Sequence, residues 1–138
     1  MPNGIDLIRA DHQAVKELFA EFDSTHEANT IGLIIAALKS HDEAEQAALY
    51  PFAGLVLGDK RLIERAEKAH SAVKKQFDLI ATLEGAGLVQ AVGQLRKLVT
   101  QHVADEEKNL LPALEDKATA EQLDELGARV LQAKQRGG

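Results

Sequence analysis

The chain has 138 residues, a net charge of −6, no Cys, no Trp, and 45% hydrophobic against 4% aromatic residues. That length suits one domain, and the apolar fraction is too high for a disordered chain. The lack of Cys excludes disulfides, thiolate metal sites and thiol catalysis; the acidic balance and scarce aromatics speak against a nucleic-acid partner, and no apolar run nears the roughly 20 residues of a membrane span.

The N-terminus, Met1-Pro2-Asn3-Gly4-Ile5-Asp6, has no basic stretch followed by an apolar one. No secretion signal is expected, and the expected location is cytoplasmic. Apolar residues then recur at steps of three and four, the helical period. Helix one carries Ile5, Ile8, His12, Val15, Phe19 and Phe22 on one stripe. Ser24–Asn29 should break it, and His26 in that turn reads as solvent-exposed and without function. Helix two carries Ile31, Ile34, Leu38, His41, Glu45 and Ala48 and should end or kink at Pro51. Residues 53–60 read as a Gly-bounded loop, with Asp59 an N-cap. Helix three carries Ile63, Ala66, His70, Val73, Phe77 and Ile80, with Gly85-Ala86-Gly87 as its terminator. Helix four carries Leu88, Val92, Leu95, Val99, His102, Glu106 and Leu110 and meets Pro112. A capping box from Thr119 to Gln122 opens a last stretch with Leu123, Leu126 and Val130, and the tail from Gln135 should fray.

Four helices of about 20 residues with short connections predict an all-α, antiparallel up-down four-helix bundle. The core bundle should span about residues 5–114 and an additional C-terminal helix about 119–135, the whole chain 1–138 forming one domain. The sequence leaves open whether the fifth helix crosses one end or lies along a groove.

Each of the four stripes carries one histidine, and two carry a glutamate one turn later. A Glu or His facing a dry core without partners costs several kcal/mol. A single histidine on such a stripe reads best as a hydrogen-bonded core residue. Four of the five histidines, one per helix, with two carboxylates, instead form a donor set suited to metal.

The chain also repeats itself. His12–Phe19 and His70–Phe77 both read H-x-A-V-K-x-x-F; His41–Pro51 and His102–Pro112 both read H-x3-E-x3-L-x-P. Each half is a hairpin giving one His from its first helix and an i, i+4 His–Glu pair from its second. Two such halves about a pseudo-twofold suggest two metals, each with two His nitrogens, and Glu45 and Glu106 bridging. A closed structural zinc site is tetrahedral and needs fewer ligands; N/O donors without sulfur suit iron or manganese.

The order His, H-x3-E, His, H-x3-E resembles the hemerythrin-like (HHE cation-binding) domains over about residues 5–114. Asp11-His12, Leu49-Tyr50-Pro51, Glu106-Glu107 and Leu111-Pro112 match in the flanks. The resemblance implies that His12, His41, Glu45, His70, His102 and Glu106 hold two iron ions per chain, oxo- or hydroxo-bridged. His12 and His41 would serve one iron, His70 and His102 the other, and Glu45 and Glu106 would bridge. Oxygen-carrying hemerythrins have a further histidine one turn after the helix-three ligand, where this chain has Lys74. An iron short of a ligand favours turnover of peroxide, NO or O2 over reversible carriage. Tyr50 is either a ligand, a neighbour of the ligands, or a packing aromatic; five residues past Glu45, it lies about 140° from it on an ideal helix. Asp42, Glu43, Asp105 and Glu107 read as solvated or as carboxylates that orient histidine N–H groups. Glu67-x-x-His70 is one copy of a motif that ferritin-like sites need twice.

Three functions compete: a di-iron protein that binds and turns over O2, H2O2 or NO in detoxification or stress, with an unknown electron donor; iron binding and delivery, or reversible O2 binding or sensing, without turnover; and a purely structural bundle. The expected partner is a small diatomic or peroxide ligand, with no nucleic acid and no membrane.

Overall fold

The computed structural model describes residues 2–137, and among them there are helices and no strands. The chain runs as α1 (Gly4–Thr25), α2 (Ala28–Ala44), a π turn (Glu45–Leu49), α3 (Tyr50–Leu57), α4 (Lys60–Ile80), α5 (Gly85–Asp105), a second π turn (Glu106–Leu110), α6 (Leu111–Lys117) and α7 (Ala120–Gly137). The segments from α2 to α3 and from α5 to α6 are each one long rod widened at a π turn. With α1 and α4 they make the antiparallel four-helix bundle, and α7 is the additional helix.

Local chemistry sets the ends. Asn3 accepts from the Ile5 N–H at 2.8 Å and opens α1. His26 closes it in the left-handed region, with φ 53°, and its N–H bonds Phe22 O. Asp59 accepts from the Arg61 N–H at 2.9 Å and opens α4, as expected. The Thr119–Gln122 box forms in both directions, at 2.9 and 3.1 Å, ahead of α7.

Three expectations about breaks are corrected. The rod does not end at Pro51, and residues 53–57 are helical; the connection shrinks to Gly58-Asp59, with Gly58 left-handed at φ 67°. A proline inside an α-helix clashes with the carbonyl four residues back. The π turn before Pro51, where the Tyr50 N–H bonds Glu45 O, widens the helix there and lets the rod continue. Pro112 follows the second π turn in the same way. Gly85-Ala86-Gly87 opens α5 rather than ending α4, which stops at Ile80. Gln135–Gly137 continue α7, while Gly138 lies outside the described residues.

The core is two separate apolar clusters. One holds Phe19, Phe22, Ile34, Leu95 and their neighbours at the end where α1 meets α2. The other gathers Ile5, Ile8, Leu49, Leu111 and Leu114 under α7, whose Leu123, Leu126, Val130 and Ala133 are buried in it. The fifth helix thus lies along the bundle against α1 and α2, with Gly4 and Gly127 at the close approach to Leu126 and Pro2. Buried polar residues separate the two clusters. No described helix is long and apolar enough to cross a membrane.

Candidate metal centre

His12, His41, His70 and His102 come from α1, α2, α4 and α5 at one level of the bundle, and all four are buried. Glu45 and Glu106 open the two π turns and are 0% and 2% exposed. The six meet in two groups. His12 and His41 face Glu45 and Glu106 on one side; His70 and His102 face the same two carboxylates on the other, and within each group the donor atoms lie within 4.8 Å of one another. His41 Nε2 is 3.2 Å from Glu45 Oε2, and His12 Nε2 is 3.3 Å from Glu106 Oε1. His70 Nε2 is 2.8 Å from Glu45 Oε1, and His102 Nε2 is 3.0 Å from Glu106 Oε2. Each glutamate therefore turns one oxygen to each group. The pairing by hairpin and the sharing of both carboxylates have the form expected from the repeat.

His12 Nε2, His41 Nε2, Glu45 Oε2 and Glu106 Oε1 are buried with no hydrogen-bond partner among the described residues. Leaving such an atom unpaired costs about 1–3 kcal/mol. All four belong to the His12–His41 group, so the donor set fits a cation at that point. Nitrogen and carboxylate donors without sulfur match iron or manganese.

Three of the imidazoles are oriented by a carboxylate on Nδ1, each from another helix. Asp11 takes His41 at 2.9 Å, Glu107 takes His12 at 2.6 Å, and Asp42 takes His70. Such bonds fix the tautomer so that Nε2 presents its lone pair inward. Glu107 and Asp42 were candidates for this role. Asp105 instead bonds Arg65 and Asn109, and Glu43 is exposed. Sequence reasoning assigned no role to Asp11 or to its second partner, Lys134 of α7. Asp11 neighbours a histidine on its own helix yet serves one on the next, which no local spacing discloses. Glu67 is exposed, and His26 is exposed in its cap. Lys74 is exposed and pairs with Asp42 at 3.6 Å, outside the donor groups.

Tyr50 is buried with its hydroxyl in the centre. It lies 2.7 Å from Glu106 Oε2, 3.0 Å from Glu45 Oε1 and 2.9 Å from His70 Nε2. The π turn explains why it is not on the opposite face, because its bond closes from i to i+5 and brings position 50 back beneath position 45. Leu111 holds the equivalent place in the other rod.

Charge within the centre is strongly coupled to its surroundings. Burial opposes the charge on His41, but Glu45, Asp11 and Glu106 outweigh it and raise its pKa to about 10. Burial likewise opposes His102, and Glu106 and Glu45 raise it to about 10. Glu45 is pushed upward by burial yet held well below the usual carboxylate range, chiefly by His41. Asp11 is lowered in spite of burial by its bonds to His41 and Lys134. Burial, then Glu45 and Glu106, drive the Tyr50 hydroxyl far upward, so without a cation it stays a donor.

Comparison with known proteins agrees with this geometry. Residues 3–114 match the sequence model of the hemerythrin HHE cation binding domain. A DNA nickase of Nostoc sp. (strain PCC 7120) is 29% identical over 135 residues, covering 94% of this chain. The chain spans only 38% of that protein's length. The crystal structure of a hemerythrin HHE cation binding domain-containing protein from Mycobacterium kansasii superposes with a TM-score of 0.85, covering 99% of this chain and 88% of that one at 21% identity. That likeness extends the shared fold through α7.

Proposed function

The chain belongs to the hemerythrin HHE cation-binding domain family, and from that premise we propose that it is a non-haem di-iron protein that binds and turns over a small ligand, O2, H2O2 or NO, in a detoxification or stress role. The observation that carries this reading is the pair of four-donor groups sharing Glu45 and Glu106. Metal ions held by these groups would supply two-electron redox chemistry and a Lewis-acid site for such a ligand.

In this reading His12 and His41 would hold one iron and His70 and His102 the other, with Glu45 and Glu106 offering an oxygen to each. Asp11, Glu107 and Asp42 lock three of the imidazoles. Lys74 is exposed and pairs with Asp42, so an iron held by His70 and His102 would have fewer protein nitrogens than in the oxygen carriers the sequence resembles. Tyr50 brings a further oxygen to the inward-facing side of that group, beside His70 Nε2 and Glu106, and its hydroxyl would either ligate as phenolate or donate a proton there.

Iron-loaded protein should show visible absorption that changes on mixing with H2O2 or NO, with catalytic decay of one of them in stopped flow. A loaded protein that binds iron without consuming H2O2 or NO would instead favour the second reading, iron binding and delivery or reversible O2 binding.

A further inference from the structure

The histidine level is filled on one side and open on the other. Because neighbouring helices are antiparallel, the next level is three residues after His12 and His70 and three before His41 and His102. Those positions are Val15, Val73, Leu38 and Val99. Three are valines, shorter than the Leu, Ile and Phe of the level beyond, and the bundle does not close over the gap. A cavity of about 550 Å³ opens there, with all four histidines as its floor. Its walls are those four residues with Phe77 and Val103, Asp42 stands beside His70 at the edge of the floor, and its solvent-facing rim includes Lys39, Glu43, Lys74 and Asp78. Glu45, Glu106 and Tyr50 do not line it. They stand behind the histidines, so the cavity meets the donor groups from the side the carboxylates leave free.

The volume is out of proportion to a diatomic or to H2O2. A water molecule occupies about 30 Å³ of liquid, and these ligands are of that order. A cleft of this size is in the range that accepts a small organic molecule. The apolar walls offer water no partner and Asp42 is already paired with His70 and Lys74, so water along those walls would lack the two to four polar partners it needs. A guest that fits presents hydrocarbon to those walls and its polar end to the floor.

We propose that this cavity binds the alkyl or aryl group of an organic hydroperoxide, with the peroxide end against the histidine floor. The assignment rests on the peroxide reading of the metal centre and names its substrate class. In the reaction, R–O–O–H takes up two electrons and two protons, the O–O bond breaks, and R–O–H and water leave. The electrons come from a thiol- or ascorbate-class reductant, which is oxidised by the same two.

The test uses the metal-loaded full chain and two probes, cumyl alcohol as an unreactive analogue and cumene hydroperoxide as substrate. Titration calorimetry should give a Kd of about 1 mM or tighter for cumyl alcohol. Val73→Phe fills the cavity from a half-buried wall position on α4, and Val99→Phe fills it from the neighbouring helix α5. In either variant that keeps the wild-type metal spectrum, binding should weaken about tenfold or more. The ratio of cumene hydroperoxide to H2O2 consumption, with ascorbate present, should fall by a similar factor. No binding to wild type, or an unchanged ratio in both variants, overturns the proposal. A wild type that binds the alcohol and consumes H2O2 but not cumene hydroperoxide overturns the substrate class alone. One that consumes neither peroxide overturns the reading beneath it.

Discussion

Metal loading should release protons in a number that the geometry sets. In the metal-free chain, Glu45, Asp11 and Glu106 raise His41 to about 10, and Glu106 and Glu45 raise His102 to about 10. At pH 8 a histidine with that pKa is about 99% protonated, whereas an ordinary one near 6.5 is about 3% protonated. A cation needs the neutral imidazole, so each of these two must give up its proton on binding. Loading at pH 8 should therefore release about two protons per chain from His41 and His102, against less than about 0.1 from two ordinary histidines. If Tyr50 binds as phenolate, a further proton appears in wild type and is missing in Tyr50→Phe. Anaerobic ferrous titration in weak buffer with a pH indicator reads the number directly. Release of less than about half a proton per chain would refute the claim that the carboxylates hold these histidines charged before the metal arrives. The same groups give metal-free stability a sign with pH. A raised histidine pKa contributes fully below its unfolded value near 6.5, and that contribution is lost as pH climbs through about 10. The depressed Glu45 pKa acts the other way, contributing above the ordinary carboxylate range and fading as pH falls below it. The metal-free Tm should thus decline between pH 6.5 and 10, a decline the loaded protein should not share.

Glu45→Ala and Glu106→Ala should each lose at least one metal per chain by elemental analysis, because each glutamate serves both groups; His26→Ala, at an exposed cap, should keep the wild-type content. Tyr50→Phe in loaded protein should abolish a visible phenolate-to-iron band if the hydroxyl is a ligand. A spectrum unchanged from wild type would leave Tyr50 as a hydrogen-bond donor only. Chelation should lower Tm by about 5 °C or more at pH 8, since His12 Nε2 and Glu106 Oε1 lose their partner at about 1–3 kcal/mol each, while His41 and Glu45 fall back on their own ion pair. An unchanged melting curve would argue against a core cation.

That these six residues would meet in the core was legible because their spacing is constrained twice over. The i, i+4 pairs fall on one helical face, and the repeat duplicates them in the second half. The bundle followed from the same apolar stripes. Position 50 and the course of the chain past Pro51 were less legible for one shared reason. The x3-L-x-P that follows each glutamate marks a π turn rather than a stop, and a π turn shifts every later residue around the axis. An ideal helical wheel therefore turns Tyr50 away from a centre that its hydroxyl in fact reaches. The carboxylates on Nδ1 illustrate a different limit. Asp11, Asp42 and Glu107 each serve a histidine on another helix, so their roles exist only once the helices pack. Lys134 reaches Asp11 from 123 residues away for the same reason.

The central claim is that Glu45 and Glu106 are shared by two cation sites in one chain. Native mass spectrometry of the metal-free chain during ferrous titration tests it most directly. The geometry predicts that the mass increases saturate at two iron ions per chain, with the doubly loaded species present at the end point. Saturation at one ion, or no bound iron at all, would contradict it.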